Sequence, residues 1–423
     1  MNKLIRIIIC IGLFTLAGCQ LTSHLQVTPV IPTKVKTPTM GSFLKPTPTS
    51  STTTLRIWLP PQFAPNSNTS SGLILQKRLE EFTTRRPGVE IEIRQKSEEG
   101  AASLINSLVA TSAAAQEALP DLIALPQTQL QVAVLKGVLH PYDGLTDVID
   151  DDDWFEYARQ LGRLQNSTFG LPFAGDGLIL VYRSDIETPP ISYTDFFSGT
   201  NSLIFPAGDP KGLYPFALYL ASGGSIYDEK GKVTISADPL ISTLSFFDQA
   251  IDNHLLPSWI TQIQNEEQGL KALDENRVKM AVTWISQYNN HHNGNYLVTT
   301  IPTQDGKPFT LATGWVWALA NPHRGDQALV VELAEYLSDA EFQAKWNLTS
   351  GYLPTRRSVL ESWQDPQLIN ITNQITASAN IIAGIDDINR LSSIFYKATL
   401  NVIQGEKNPA TAAEEAIDSL NQP

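Results

Sequence analysis

Cysteine is nearly absent. The 423 residues contain only Cys10 and Cys19, so no disulfide framework can staple the fold, and its stability must come from packing. Positive charge is also short: 30 Lys and Arg face 43 Asp and Glu, for a formal charge of −13. Phosphate contacts need clustered Lys and Arg, so this balance argues against nucleic-acid binding. Beyond the amino-terminal segment, no apolar run approaches the roughly 20 residues of a membrane span. No Gly-x-Ser-x-Gly turn occurs, and the six histidines lack a hydrolase context. Acid pairs carry no glycosidase signal among 43 carboxylates. Ser222-Gly223-Gly224 is not followed by Lys-Ser or Lys-Thr, which argues against a phosphate cradle. Adjacent His291 and His292 point in different directions. With Asn289, Asn290, Asn293 and Asn295 around them, they read as a polar loop rather than a metal site. No catalytic residue, metal or cofactor is expected.

What is present begins with a leader. Lys3 and Arg6 precede an apolar stretch over residues 7–16, too short to span a membrane. Leu16-Ala17-Gly18-Cys19 then resembles a bacterial lipobox, which implies cleavage after residue 18 and lipid on Cys19. Loss of Lys3 and Arg6 would take the charge from −13 to −15. Residues 19–54 are rich in Thr, Pro and Ser, with Pro29, Pro32, Pro38, Pro46 and Pro48. Proline biases such a segment toward extended geometry, so it reads as a tether. The expected location is the outer side of a cell membrane, held by lipid.

From residue 55 the pattern is α/β. Residues 55–59 and 89–94 alternate as strands with one buried face, and 122–125 form a short apolar strand. Helices are predicted over 73–84, with Leu75, Leu79 and Phe82 in register, and over 104–115. Asp150 to Asp153 lack the alternating acids and the Gly of a calcium loop. They read as an N-cap for the helix beginning Trp154-Phe155-Glu156-Tyr157. Gly170 and Pro172 interrupt the chain before a strand over 178–182, after which a second α/β pattern starts. Strands alternating with helices imply mainly parallel sheets, whose ligands bind beyond the carboxyl ends of the strands.

The segment FGLPFAGDGLILVYRSD over 169–185 is similar to the inter-lobe crossing of the extracellular solute-binding proteins of ABC importers. It is closest to the sugar-binding group that includes maltose-binding protein. RRPGVEIEI (85–93), PDLIAL (120–125), SDAEFQAKW (338–346), SGYLPTRRS (350–358) and VIQGEKNPATAAEEAIDSL (402–420) extend the resemblance across residues 55–420.

That resemblance implies an α/β periplasmic-binding-protein-like fold of two lobes with a ligand cleft between them. Lobe I would comprise 55–176 and 307–350, and lobe II 177–306 and 351–423. Crossings are expected near Asp176, over 301–306 and over 350–352. A sugar needs aromatic plates and hydroxyl-binding polar groups. The implied ligand residues are Trp58, Asp176, Tyr214, Phe216, Trp284, Trp315, Tyr352, Phe395 and Tyr396. Asp176 could equally be a turn residue, and Tyr214 or Phe216 equally core. Residues 60–71 should also reach the ligand. The implied role is a monomer that captures a small solute, a sugar, by hinge closure and delivers it to membrane permease subunits. The alternatives are a sensor or surface protein of the same fold, or a non-sugar solute.

Overall fold

In the computed structural model, residues 52–65, 67, 69–198, 201–291, 295–321, 326–381 and 385–421 are described. The leader, Cys19, the tether up to residue 51, and His292 lie outside the described residues. Among those described, no helix is long and apolar enough to cross a membrane.

The first α/β stretch runs Thr53–Leu59 (β1), Ser70–Arg85 (α1), Val89–Gln95 (β2), Leu104–Ala114 (α2), Leu122–Pro126 (β3) and Gln127–Leu135 (α3). Glu156–Gly162 (α4) leads into the small hairpin Arg163–Leu164 (β4) and Ser167–Thr168 (β5), then the long strand Gly170–Arg183 (β6). Next come Tyr193–Phe196 (α5), Leu203–Ile204 (β7), Tyr214–Ala221 (α6), Ala237–Asp252 (α7) and Glu266–Asp274 (α8). Met280–Trp284 (β8), Ile285–Asn290 (α9), Tyr296–Thr300 (β9) and Thr310–Leu319 (β10) follow. The chain ends in helices Gln327–Tyr336 (α10), Ala340–Ser350 (α11), Ser358–Glu361 (α12) and Pro366–Ala377 (α13), strand Ala379–Ile381 (β11), and helices Ile385–Ile403 (α14) and Pro409–Asn421 (α15).

Among the described residues nine strands form one sheet, in the order β2-β1-β3-β10-β6-β8-β7, with β11 beside β10 and β9 beside β6. Strand β6 belongs to two neighbourhoods. From Gly170 to Gly177 it pairs with β10, and from Leu178 onward with β8 and β9. Partner exchange therefore falls between Gly177 and Leu178, next to Asp176. Gly170 and Pro172 do not break this strand, contrary to the expectation from sequence. Pro172 lacks an N–H, and it sits where the β6–β10 register shifts, between Trp315 and Val316. Its carbonyl is not wasted, because the Thr355 hydroxyl donates to it at 3.3 Å.

Two further expectations give way. Asp150 to Asp153 do not cap α4, whose N-cap is Phe155 with no side-chain bond. Asp153 instead accepts from the backbone and hydroxyl of Ser358, both at 2.8 Å. The buried Arg356 pairs with both Asp151 and Asp153 and lies over Trp154, 3.8 Å from its centroid. Asp150 and Asp152 pair with Arg163 and Arg159. The second concerns residues 353–358, predicted to sit with the second lobe. Their bonds run to the first part of the sheet: Tyr157 donates to Pro354 O at 2.6 Å, and Phe155 N–H to Thr355 O at 3.0 Å. Strand β11 likewise pairs with β10, whereas α14 and α15 pack on α6 and α7.

The middle of β6 is tightly built. A Cβ on Gly175 would lie 2.1 Å from the Tyr157 hydroxyl, which is buried and tied to Pro354. Gly175 also exchanges backbone bonds with Leu353, at 2.9 and 2.7 Å. Gly175→Ala is expected to destabilise the protein by about 1–2 kcal/mol, read as a lower urea midpoint at unchanged slope.

Candidate ligand-binding site

Register places the site. The last residue of β3, Pro126, pairs with Trp315 of β10, and Trp315 pairs with Ala174 of β6. The last residue of β8, Trp284, pairs with Leu178 of the same strand. Strands β1, β2 and β3 are parallel, and so are β7 and β8. The carboxyl ends of both parallel sets thus converge on residues 174–178, with Asp176 at the centre. Loops following those ends are where an open α/β sheet binds ligands.

The first wall follows β1 and β2. Gln62 donates to the Glu98 carboxylate at 2.6 Å, and Gln129 donates to the Glu98 backbone at 2.9 Å. Burial pushes the Glu98 carboxyl above its ordinary range, with the Gln62 bond opposing and the Glu99 charge adding. Behind it stands an aromatic cluster. Phe63 meets Trp315 edge-on at 4.9 Å and Tyr352 at 5.4 Å, and Tyr352 stacks on Trp346 at 6.0 Å. Tyr352 is half-buried, with the side chains of Gln62 and Ser286 near its hydroxyl.

The second wall follows β7 and β8. A cavity of about 230 Å³ is lined by Leu178, Pro206, Asp209, Lys211, Glu266 and Trp284, with Tyr214 at its edge. Burial raises the Glu266 carboxyl and the charge on Asp209 raises it further, against backbone hydrogen bonding and the nearby Trp284 indole. Asp209 closes the turn after β7 by accepting from Lys211 N–H at 2.8 Å.

Between the walls, Asp176 is 9% exposed. One carboxylate oxygen accepts from Gly177 N–H (2.9 Å) and Ser286 N–H (3.2 Å), and the other from the Ser286 hydroxyl (2.5 Å). Burial raises its pKa from 3.8 to about 6 against the pull of those bonds.

Of the residues expected from the sequence, Trp284, Asp176 and Tyr352 come together here. Trp315 is adjacent but only 6% exposed, beneath the aromatic cluster. Trp58 is buried near the end of β1 with Lys96 over its ring, so it offers little face. Tyr214 borders the cavity, but its ring is packed on Phe205 and Phe247. Phe216 and Phe395 are 0% and 1% exposed and meet edge-on at 5.3 Å, filling the core between α6 and α14. They present nothing to a cleft and are dropped from the site. Tyr396 is half-buried on α14 and lines neither wall. Gln62, Glu98, Asp209, Lys211, Glu266 and Ser286 form no motif. The only signal for them in the sequence is that they follow predicted strand ends or open the next helix. The other histidine of the polar loop, His291, is tied to Asp274 at 2.6 Å. No cluster of three metal-binding side chains occurs among the described residues.

Comparison with known proteins identifies the fold and the family. A family profile described as "Bacterial extracellular solute-binding protein" matches residues 77–370. Maltose-bound T. maritima MalE3 superposes with a TM-score of 0.66 at 16% identity, over 87% of this chain and 99% of that one. The maltose complex of MalE from Listeria monocytogenes gives 0.69 at 14% identity, over 87% and 97%. A cyclic α-maltosyl-1,6-maltose-binding protein from Arthrobacter globiformis gives 0.71 at 15%, over 87% and 98%. Comparison with curated protein sequences finds no match. The fold is thus the mixed α/β periplasmic-binding-protein fold, and with most of its length matched, the chain belongs to the bacterial extracellular solute-binding proteins, a family that binds solutes outside the cytoplasm rather than transforming them.

Proposed function

We propose that this protein is the lipid-anchored solute-binding component of an ABC importer and that its solute is a mono- or oligosaccharide. The observation that carries this reading is the convergence of both sets of strand ends on residues 174–178. Around that point lie two half-buried aromatic rings, Trp284 and Tyr352, and an acceptor-rich fringe of Glu98, Asp209 and Glu266 with Gln62 and Lys211. Ring faces suit the C–H faces of a sugar, and carboxylates and amides suit its hydroxyls. Three structurally similar proteins, each under 20% identical, bind maltose or a cyclic maltosyl sugar, which favours the same solute class here.

Lobe I would be 55–176 and 307–350, and lobe II 177–306 and 351–423, the latter less the pieces that bond back to the first part of the sheet. Ligand contacts to both walls would stabilise a closed form, and that form would dock on permease subunits. Leu16-Ala17-Gly18-Cys19 supports removal of residues 1–18 and a lipid on Cys19, with the expected tether 19–54 shortened by Thr53 and Thr54, which belong to β1.

The test is thermal unfolding of the purified protein against maltodextrins, monosaccharides, polyols, amino acids and peptides. At a tenfold excess over Kd, native-state binding stabilises by about 1.4 kcal/mol. An upward shift in Tm confined to one sugar class supports the reading and names the solute. A shift with peptides or amino acids and none with sugars discards the carbohydrate assignment.

A further inference from the structure

Asp176 stands where a hydroxyl acceptor for the solute was expected, yet both of its oxygens are already engaged by the protein. What it engages is instructive. Strand β8 ends at Trp284 and α9 starts at Ile285, and the N-cap residue, Trp284, makes no side-chain capping bond. An uncapped helix start leaves its first N–H groups without partners. The N–H of Ser286 finds one on a strand 110 positions earlier in the chain, and the Ser286 hydroxyl binds the same carboxylate. Only Ile285 separates that anchored residue from Trp284. On its other side Trp284 lines the cavity together with Glu266.

We infer that Asp176 is a positioning residue for solute binding: by holding Ser286 it fixes the β8–α9 junction and aims Trp284 along the cavity wall. The Ser286 hydroxyl and Gln62 also lie near the hydroxyl of Tyr352. Leu353, next in the chain, is bonded to Gly175. The carboxylate therefore ties the crossing strand to the junction beside Trp284, and the neighbouring Gly175 ties it to the segment beside Tyr352.

The test uses acrylamide quenching of tryptophan emission in the ligand-free protein, with the Trp284 signal isolated by subtracting a Trp284→Phe background. Asp176→Ala is expected to raise the Trp284 quenching constant about twofold and to weaken maltotetraose binding about tenfold, the worth of one or two such bonds. Asp176→Asn keeps an acceptor for Ser286 N–H and a donor for its hydroxyl, so both values should stay within about twofold of the parent. Parent-like quenching in Asp176→Ala overturns the inference. So does an Asp176→Asn variant that loses affinity like the alanine variant while its quenching stays at the parent value, since Asp176 would then touch the solute itself. Should Asp176→Ala not fold, Ser286→Ala decides: a raised quenching constant supports the inference and an unchanged one overturns it. The affinity arm rests on the carbohydrate reading, but the quenching arm does not, so a parent protein that ignores maltotetraose still reveals whether Asp176 positions Trp284.

Discussion

Trp284→Ala is expected to weaken solute binding 30- to 100-fold while leaving the fold in place, a loss of about 2–3 kcal/mol typical of an aromatic anchor at the centre of a binding site. The ring ends β8, is half-buried rather than core, and forms one wall of the 230 Å³ cavity. Removing it deletes a stacking surface and opens the cavity beside Glu266. Stability should change by less than about 1 kcal/mol, because little fully buried area disappears. Phe395→Ala is the matching control. That ring is 1% exposed between Phe216 and Tyr219, so its truncation should cost about 3–5 kcal/mol of stability and leave the affinity of the folded fraction unchanged. Calorimetric titration and urea unfolding of both variants measure the two axes. Equal affinity loss in both would mean that α14 reaches the solute after all.

That contrast marks where sequence reasoning ran out. Strand β2 was legible because Val89, Ile91 and Ile93 alternate with polar residues, and β1 because Leu55, Ile57 and Leu59 recur at every second position. The crossing at 178–182 was legible as an apolar run without proline. Its true start at Gly170 was hidden, because a strand carrying Pro172 is tolerated only where a distant strand, β10, shifts register. The fate of Asp150 to Asp153 was hidden for a similar reason. A run of acids before a helix looks like a cap, and nothing local announces an arginine at 356 or a serine at 358. Aromatic type alone could not separate Trp284 from Phe395. Both lie on elements of the right kind, and only packing shows that one faces a cavity and the other faces Tyr219. Gln62, Glu98, Asp209 and Glu266 were within reach of the rule that ligands lie beyond strand ends. Being single polar residues in loops or at the first turn of a helix, they carry no spacing that would single them out.

Asp176 also sets a pH dependence opposite to that of a surface carboxylate. Its folded pKa is near 6 against an ordinary 3.8, chiefly because burial disfavours the charge, with Glu266 adding a little and the Ser286 and Gly177 bonds opposing. For a carboxyl raised in the folded state, the stabilising contribution is fully present below 3.8 and is lost as pH rises through about 6. A difference of about two pKa units corresponds to about 3 kcal/mol. Asp195 and Glu92 run the other way: hydrogen bonds from Ser192, and from Arg94 and Arg56, lower their pKa values, so their contributions are lost on acidification. Comparing the parent with Asp176→Asn cancels those groups. The parent should lose up to about 3 kcal/mol relative to the variant between pH 4 and pH 7. The hydroxyls of Tyr157 and Tyr352, which feel the Asp176 charge, stay neutral throughout, since burial raises both. Urea midpoints across that range measure the difference. A constant gap from pH 4 to pH 7 would mean that the Asp176 carboxyl is ionised throughout and that its bonds to Ser286 outweigh the cost of burying its charge. A gap that opens just above pH 4 and levels off near pH 6 would mean that the folded protein holds the Asp176 carboxyl protonated up to about pH 6 and bears the cost of its buried charge at neutral pH.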